Sequence, residues 1–152
     1  MKTATLLILV KDEKVLLGFK KKGEIGTNTL NGPGGKVENG ESLMDCVIRE
    51  TQEEVNLTLD PNDLKKTAIV TFYNNGTPDF EVHLFYTTTC LGVPAETTDM
   101  SPAWYNVDNI PFDKMLASDH KWFARAVNGE TFTARVYYKE RAKDFDRIEF
   151  DD

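Results

Sequence analysis

Two apolar runs open the chain, TLLILV at 5–10 and VLLGF at 15–19, separated by the polar KDEK. Their richness in Leu, Val and Ile predicts strands over 3–10 and 14–20, joined at Lys11, Asp12 and Glu13. Residues 21–31 are polar, contain glycine and read as a loop. Residues 42–55 form the clearest helix: Ser42 with Asp45 three positions on fits a capping box, and Asn56 suits a left-handed end. Strands over 66–73 and 81–88 flank the turn Asn74, Asn75, Gly76, Thr77, Pro78. A short strand over 102–107 follows, then a second helix over 118–127 with Trp122, Phe123 and Ala126 on its apolar side. A strand over 131–138 and an acidic tail ending in Asp151 and Asp152 complete the pattern. Strands with one central and one late helix imply an α/β layered fold with a mixed sheet, as a single domain over 1–152.

Composition narrows the function more than the fold. At 152 residues, 40% apolar and 28% charged, the chain has ordinary globular proportions. A formal charge of -7 argues against a nucleic-acid polymer as partner, since polymer binding rests on a basic face, but leaves room for a small phosphorylated ligand. Cys46 and Cys90 have neither metal-ligand nor redox spacing, which suggests a reducing, cytoplasmic compartment. The opening apolar run is short, stops at Lys11 and Asp12 and has no small-residue cleavage site after it, so it reads as a strand and not a signal peptide. No stretch has transmembrane length, and no membrane partner is expected.

One stretch, GPGGKVENGESLMDCVIRETQEEVNL at 32–57, crowds glycines at one end and carboxylates at the other. At about 100° per residue, Glu50, Glu53 and Glu54 share one side of the predicted helix, while Met44, Ile48, Thr51 and Val55 form a separate stripe for the core. The Thr51 hydroxyl suits a bond back to a carbonyl one turn earlier. A solvated acidic face with an Arg49–Glu53 pair is one reading of this side. The other is a cation site. The acids lie near the helix C-terminus, where the macrodipole disfavours them, and a hard divalent cation would relieve their repulsion. The bare backbone of Gly34 and Gly35 just upstream allows a close approach to a ligand.

This stretch resembles the Nudix hydrolases. Gly35, Glu41, Arg49, Glu50, Glu53, Glu54 and Leu57 match the family signature at its spacing, with Thr51 at a usually apolar position and Asn56 at a usual glycine. Beyond that box, VLLGFKKKG, LNGPGGKVENGE, TPDFEVHLF, VPAETTDM, WYNVDNIPF and SDHKWF are similar to the MutT-homologue branch, the oxidised purine nucleoside triphosphatases. The resemblance implies a Nudix-type α/β/α sandwich. It also implies a pyrophosphohydrolase that uses Mg2+ or Mn2+ to cut a purine nucleoside triphosphate such as 8-oxo-dGTP to monophosphate and pyrophosphate, in nucleotide pool sanitisation. Another nucleoside diphosphate derivative as substrate, or a non-catalytic ligand-binding domain, are the alternatives.

Carried over by position, Gly34 (through its carbonyl), Glu50, Glu53 and Glu54 are the expected metal ligands. Glu53 is the first choice of general base, with Asp99 as competitor. Arg49 is expected to orient the glutamates and Glu41 to support the loop and helix. Lys20 and Lys36 are expected at the phosphates, and Thr5, Asn31 and Asp119 at the base. The chain departs from its relatives at Leu116, where they carry a tryptophan platform, and at Ser118, where they carry one of two adjacent acids. Tyr73, Phe80 and Trp122 are further candidates for the pocket walls, or core residues. A small-molecule nucleotide and a monomer or weak dimer complete the expectation.

Overall fold

The computed structural model describes residues 1–151; Asp152, the end of the acidic tail, lies outside them. The strands are β1 (Lys2–Lys11), β2 (Lys14–Lys20), β3 (Leu30–Asn31), β4 (Gly34–Lys36), β5 (Lys65–Asn74), β6 (Thr77–Thr87), β7 (Met100–Asn106), β8 (Phe132–Tyr138) and β9 (Phe145–Asp151). The helices are α1 (Leu43–Val55) and α2 (Phe123–Val127).

β1 is the spine of the sheet. It runs parallel to β6 from Lys2 to Leu9, and β6 continues through β5 and β8 to β9. On its other side β1 forks. Ala4, Thr5 and Leu6 pair with β4, whereas Val10 and Lys11 pair with β2, which departs to join β3 and β7. The sheet is mixed, because β1–β6 and β5–β8 are parallel and the remaining pairs antiparallel.

Alternation along β1 builds two cores. Ala4, Leu6 and Ile8 pack with Trp122, Phe123 and Ala126, and Leu7 and Leu9 pack with Val47, Val55 and Phe85. Each helix therefore covers one face, which gives the α/β/α sandwich and explains why β1 reads as an unbroken apolar run. Both turns expected to be tight use positive φ: Asp12 and Glu13 at 51° and 64°, Asn75 and Gly76 at 50° and 81°.

α1 ends as expected, with Ser42 accepting from Asp45 N at 3.0 Å and Asn56 left-handed at φ 60°. Several details differ from the sequence reading. The loop expected over 21–31 ends in β3, the glycine-rich stretch contains β4, and β6 begins at Thr77, directly after its two-residue turn. The acidic tail is β9, in register with β8. The second helix is broken at Trp122, whose φ of -133° separates a 3-10 turn (Asp119–Lys121) from the short α2. The buried side of α1 also includes Cys46, Val47 and Glu54, and the Thr51 hydroxyl is buried with no partner among the described residues, so the expected back-bond is not made.

Candidate active site

The fork between β2 and β4 opens into a cavity of 280 Å3. At one end it meets Glu50 and Glu54 of α1, Gly34 and Gly35 of β4, Lys20 and Asp99. At the other it is closed by Phe72, Leu116, Asp119 and Trp122. Thr5, Asn31 and Lys36 also line it. Glu53 and Arg49 stand outside the lining, on the adjoining side of α1.

Glycine is required where β4 crosses β1, and it leaves room for Glu50 where β4 meets α1. A Cβ at Gly34 would sit 2.0 Å from the Thr5 carbonyl oxygen, and one at Gly35 would sit 2.6 Å from the Glu50 carboxyl carbon. The bare strand thus fits between β1 and the helix, close enough for Gly34 N–H to donate to Glu54 Oε1 at 2.7 Å.

Arg49 organises the acids. Its Nε and Nη2 donate to Glu41 at 2.7 and 3.0 Å, and its Nη1 reaches Glu50 at 3.0 Å and Glu53 at 3.2 Å. Glu41 also accepts from Glu38 N at 3.1 Å, which ties the loop after β4 to the helix. The Arg49 bonds hold the Glu41 carboxyl down to a pKa of about 2. Burial acts in the opposite direction on the cavity side. It pushes Glu54 up to about 8, against the Gly34 bond, and raises Glu50. Burial also lowers Lys20, partly offset by Glu54 and Glu50.

Among the described residues no three His, Cys, Asp or Glu side chains are gathered as a metal cage. Arg49 holds Glu50 and Glu53, and Gly34 N–H holds Glu54. The donor set nevertheless fits a hard divalent ion. Glu50 and Glu54 are carboxylates taken out of water at one wall of the cavity, and Mg2+ is typically held by one or two carboxylates plus phosphate oxygens and waters.

Asp99 follows a loop fixed by Thr97, whose hydroxyl donates to the Glu54 carbonyl at 2.7 Å and accepts from Asp99 N at 3.2 Å. Nothing in the sequence singled out Thr97. Lys22 Nζ lies 3.5 Å from Asp99, whose side chain is 36% exposed.

At the far end Asp119 is 2% exposed, its Oδ1 has no hydrogen-bond partner among the described residues, and burial raises its carboxyl to about 7. Trp122 lies beside the same cavity, and its interaction with Asp119 lowers the carboxyl less than burial raises it. Asn31 Oδ1 accepts from Gly32 N at 3.0 Å, so its side chain shapes the turn as well as facing the cavity. Thr5 contributes to the wall, but its hydroxyl is engaged 3.3 Å from Cys46 Sγ. Ser118 is fully buried and held away from the cavity: Tyr138 Oη donates to Ser118 Oγ at 2.9 Å and accepts from Ser118 N at 3.1 Å. Phe80 and Trp122 line the cavity, but Tyr73 does not. It faces the opposite side of the sheet and stacks on Tyr137 at 4.6 Å.

Comparison with known proteins places this geometry. The NUDIX domain family matches residues 1–126. An oxidized purine nucleoside triphosphate hydrolase of Danio rerio is 38% identical over 144 residues, covering 94% of this chain and 89% of that protein. The protein of the same name from Mus musculus is 34% identical over 138 residues, with 90% and 86% covered. A MutT protein from Bacillus halodurans superposes with a TM-score of 0.82 at 23% identity, covering 99% of this chain and 98% of that one.

Proposed function

Because the chain belongs to the NUDIX family, we propose that it is a pyrophosphohydrolase that cuts an oxidised purine nucleoside triphosphate, with water, to the monophosphate and pyrophosphate. The observation that carries this reading is a single cavity lined by the buried carboxylates of Glu54 and Asp119 and the partly buried Glu50, in a chain so similar to two hydrolases of that name.

The residues divide by role. Lys20 and Lys36 bind phosphate oxygens. Glu50, Glu53, Glu54 and the Gly34 carbonyl would hold a divalent cation, Mg2+ or Mn2+. Such a cation, when bound, neutralises phosphate charge and lowers the pKa of a coordinated water. Glu53, or Asp99 from the opposite loop, accepts the proton of the attacking water. Arg49 keeps the glutamates on one side of α1. Asp119 and Asn31 read the base edge, with Asp119 able to accept hydrogens when ionised or donate one when neutral. The domain acts on a free nucleotide, as a monomer or weak dimer, without a nucleic-acid polymer or membrane as partner. Among the described residues no helix is long and apolar enough to cross a membrane. The free thiols of Cys46 and Cys90 suit a reducing, cytoplasmic setting.

A second reading keeps the chemistry and changes the base. Leu116 offers no aromatic platform and Ser118 is tied to Tyr138, so Asp119 reads the base without a second acid. A panel of oxidised and ordinary nucleoside triphosphates, ADP-ribose and a dinucleoside polyphosphate, assayed with and without Mg2+, decides between them. Metal-dependent pyrophosphate release fastest on 8-oxo-dGTP or another oxidised purine supports the first reading. Preference for an unoxidised or diphosphate-linked member supports the second, and no turnover with any metal overturns both.

A further inference from the structure

The loop between β2 and β3 reaches the mouth of the cavity, where Gly23, Glu24 and Ile25 form part of the wall. Glu24 is a meeting point for cations from three other parts of the fold. Its carboxylate takes Lys2 of β1 at 2.5 Å, Lys36 of β4 at 2.8 Å and Arg141 of the β8–β9 connection at 3.2 Å. Arg141 is itself fixed by two bonds of 2.6 Å to Asp79. Bonds from Lys2 and then Lys36 hold the Glu24 carboxyl down to about 2.

The loop has a second tie. Lys20 Nζ donates to the Ile25 carbonyl at 2.9 Å. Lys20 and Lys36 both line the cavity, and in the free protein both are engaged by the adjacent residues 24 and 25. A phosphate chain entering the cavity needs the same two ammonium groups. Resting on the nucleotide reading above, we propose that Glu24 is a specificity-determining residue: an internal competitor of substrate phosphate for Lys36, displaced only by ligands with enough charge to take that lysine. Lys2 and Arg141 act through Glu24, as the residues that keep its carboxylate over the cavity mouth. The consequence is selection by phosphate number. A polyphosphate chain displaces Glu24, whereas a lone phosphate leaves it in place.

The test titrates inorganic tripolyphosphate and, separately, orthophosphate into the full chain by calorimetry, in metal-free buffer so that nothing turns over. Wild type, Glu24→Gln, Lys36→Gln and the double variant are compared, with melting curves to check folding. Glu24→Gln is expected to tighten tripolyphosphate binding roughly two- to fivefold, the range of a partly exposed ion pair, and to leave orthophosphate unchanged. In the Lys36→Gln background the gain disappears. The proposal is overturned if Glu24→Gln melts as wild type yet binds tripolyphosphate no more tightly. It is equally overturned by an equal gain for orthophosphate, by a gain that persists without Lys36, or by no tripolyphosphate binding at all. Because the inorganic probes need no base pocket, a wrong assignment of the nucleoside leaves this outcome intact.

Discussion

The backbone N–H of Gly34 and the carboxylate of Glu54 meet at 2.7 Å, which fastens the glycine-rich strand to α1 at the wall of the cavity. The bond is formed in a place poor in water, and burial still outweighs it, so Glu54 is driven up to about 8. Its stability contribution follows from the sign of that shift. The folded pKa lies above the 4.5 of a free side chain, so the stabilisation is complete below about 4.5 and is lost as pH rises through 8. Metal-free protein is therefore expected to melt at progressively lower temperature from pH 5 to 8. Saturating Mg2+ or Mn2+ should remove most of that fall, with roughly 3 kcal/mol available at a hundredfold excess over Kd. Melting curves with EDTA and with each metal check this, and indifference to both metals at millimolar levels would count against a cation site here.

Gly35→Ala separates site from fold. The new Cβ meets the end of the Glu50 side chain and not backbone, so the sheet can keep its register while Glu50 is pushed off Arg49. Turnover should fall by about a hundredfold with only a small change in melting temperature. Kinetics beside a thermal melt distinguish this from simple unfolding.

Glu53→Gln tests the assignment of the base. Glu53 is 53% exposed on its side chain and pairs with Arg49 on the same helix, so the fold should tolerate the amide while turnover drops by several orders of magnitude. Near-full rate at saturating Mg2+ would refute the role. If Asp99→Asn proved the inactive variant, the base would belong on the loop fixed by Thr97.

Asp119→Ala should raise KM for the preferred nucleotide far more than it lowers kcat, because the phosphate end of the cavity is untouched. A lost charge-assisted bond is worth about 1.5–3 kcal/mol, or roughly ten- to a hundredfold. Asp119→Asn should fall between. An unchanged substrate panel would remove Asp119 from the base pocket.

Ser118→Asp, the simplest way to restore a second acid, should destabilise instead. The carboxylate would replace a hydroxyl bonded to Tyr138 in a fully buried position, and an uncompensated buried charge costs about 3–5 kcal/mol. Denaturant unfolding would show the loss without any gain in oxidised-purine turnover.

The sequence made α1, its caps and its acidic side legible because a thirteen-residue helix repeats its pattern several times. It hid β4, since two glycines have no strand preference of their own and are held as strand by pairing with β1, whose Thr5 carbonyl leaves no room for a side chain at Gly34. It hid β9 because Asp146, Arg147 and Glu149 read as a charged tail, although Ile148 and Phe150 pack against the core beneath β8. Tyr73 is a candidate for the pocket wall in the sequence, but its neighbour Phe72 lines the cavity instead, and the irregularity of β5 between the two is not visible in composition. Glu24 and Arg141 lie far apart along the chain and meet only through folding, so no local signal marked either one.

The fork in β1 has a dynamic consequence. Alternate residues of this strand serve both cores, so neither layer can peel away and leave it free. Amide hydrogens over residues 6–9 should then exchange with deuterium only when the whole sheet opens, on the slowest timescale in the molecule. Those over residues 22–28, held by ion pairs and isolated turn bonds, should exchange early. Mass-resolved exchange would place these two segments, which meet the same cavity through Leu6 on one side and Lys22, Gly23, Glu24 and Ile25 on the other, at opposite ends of the protection scale.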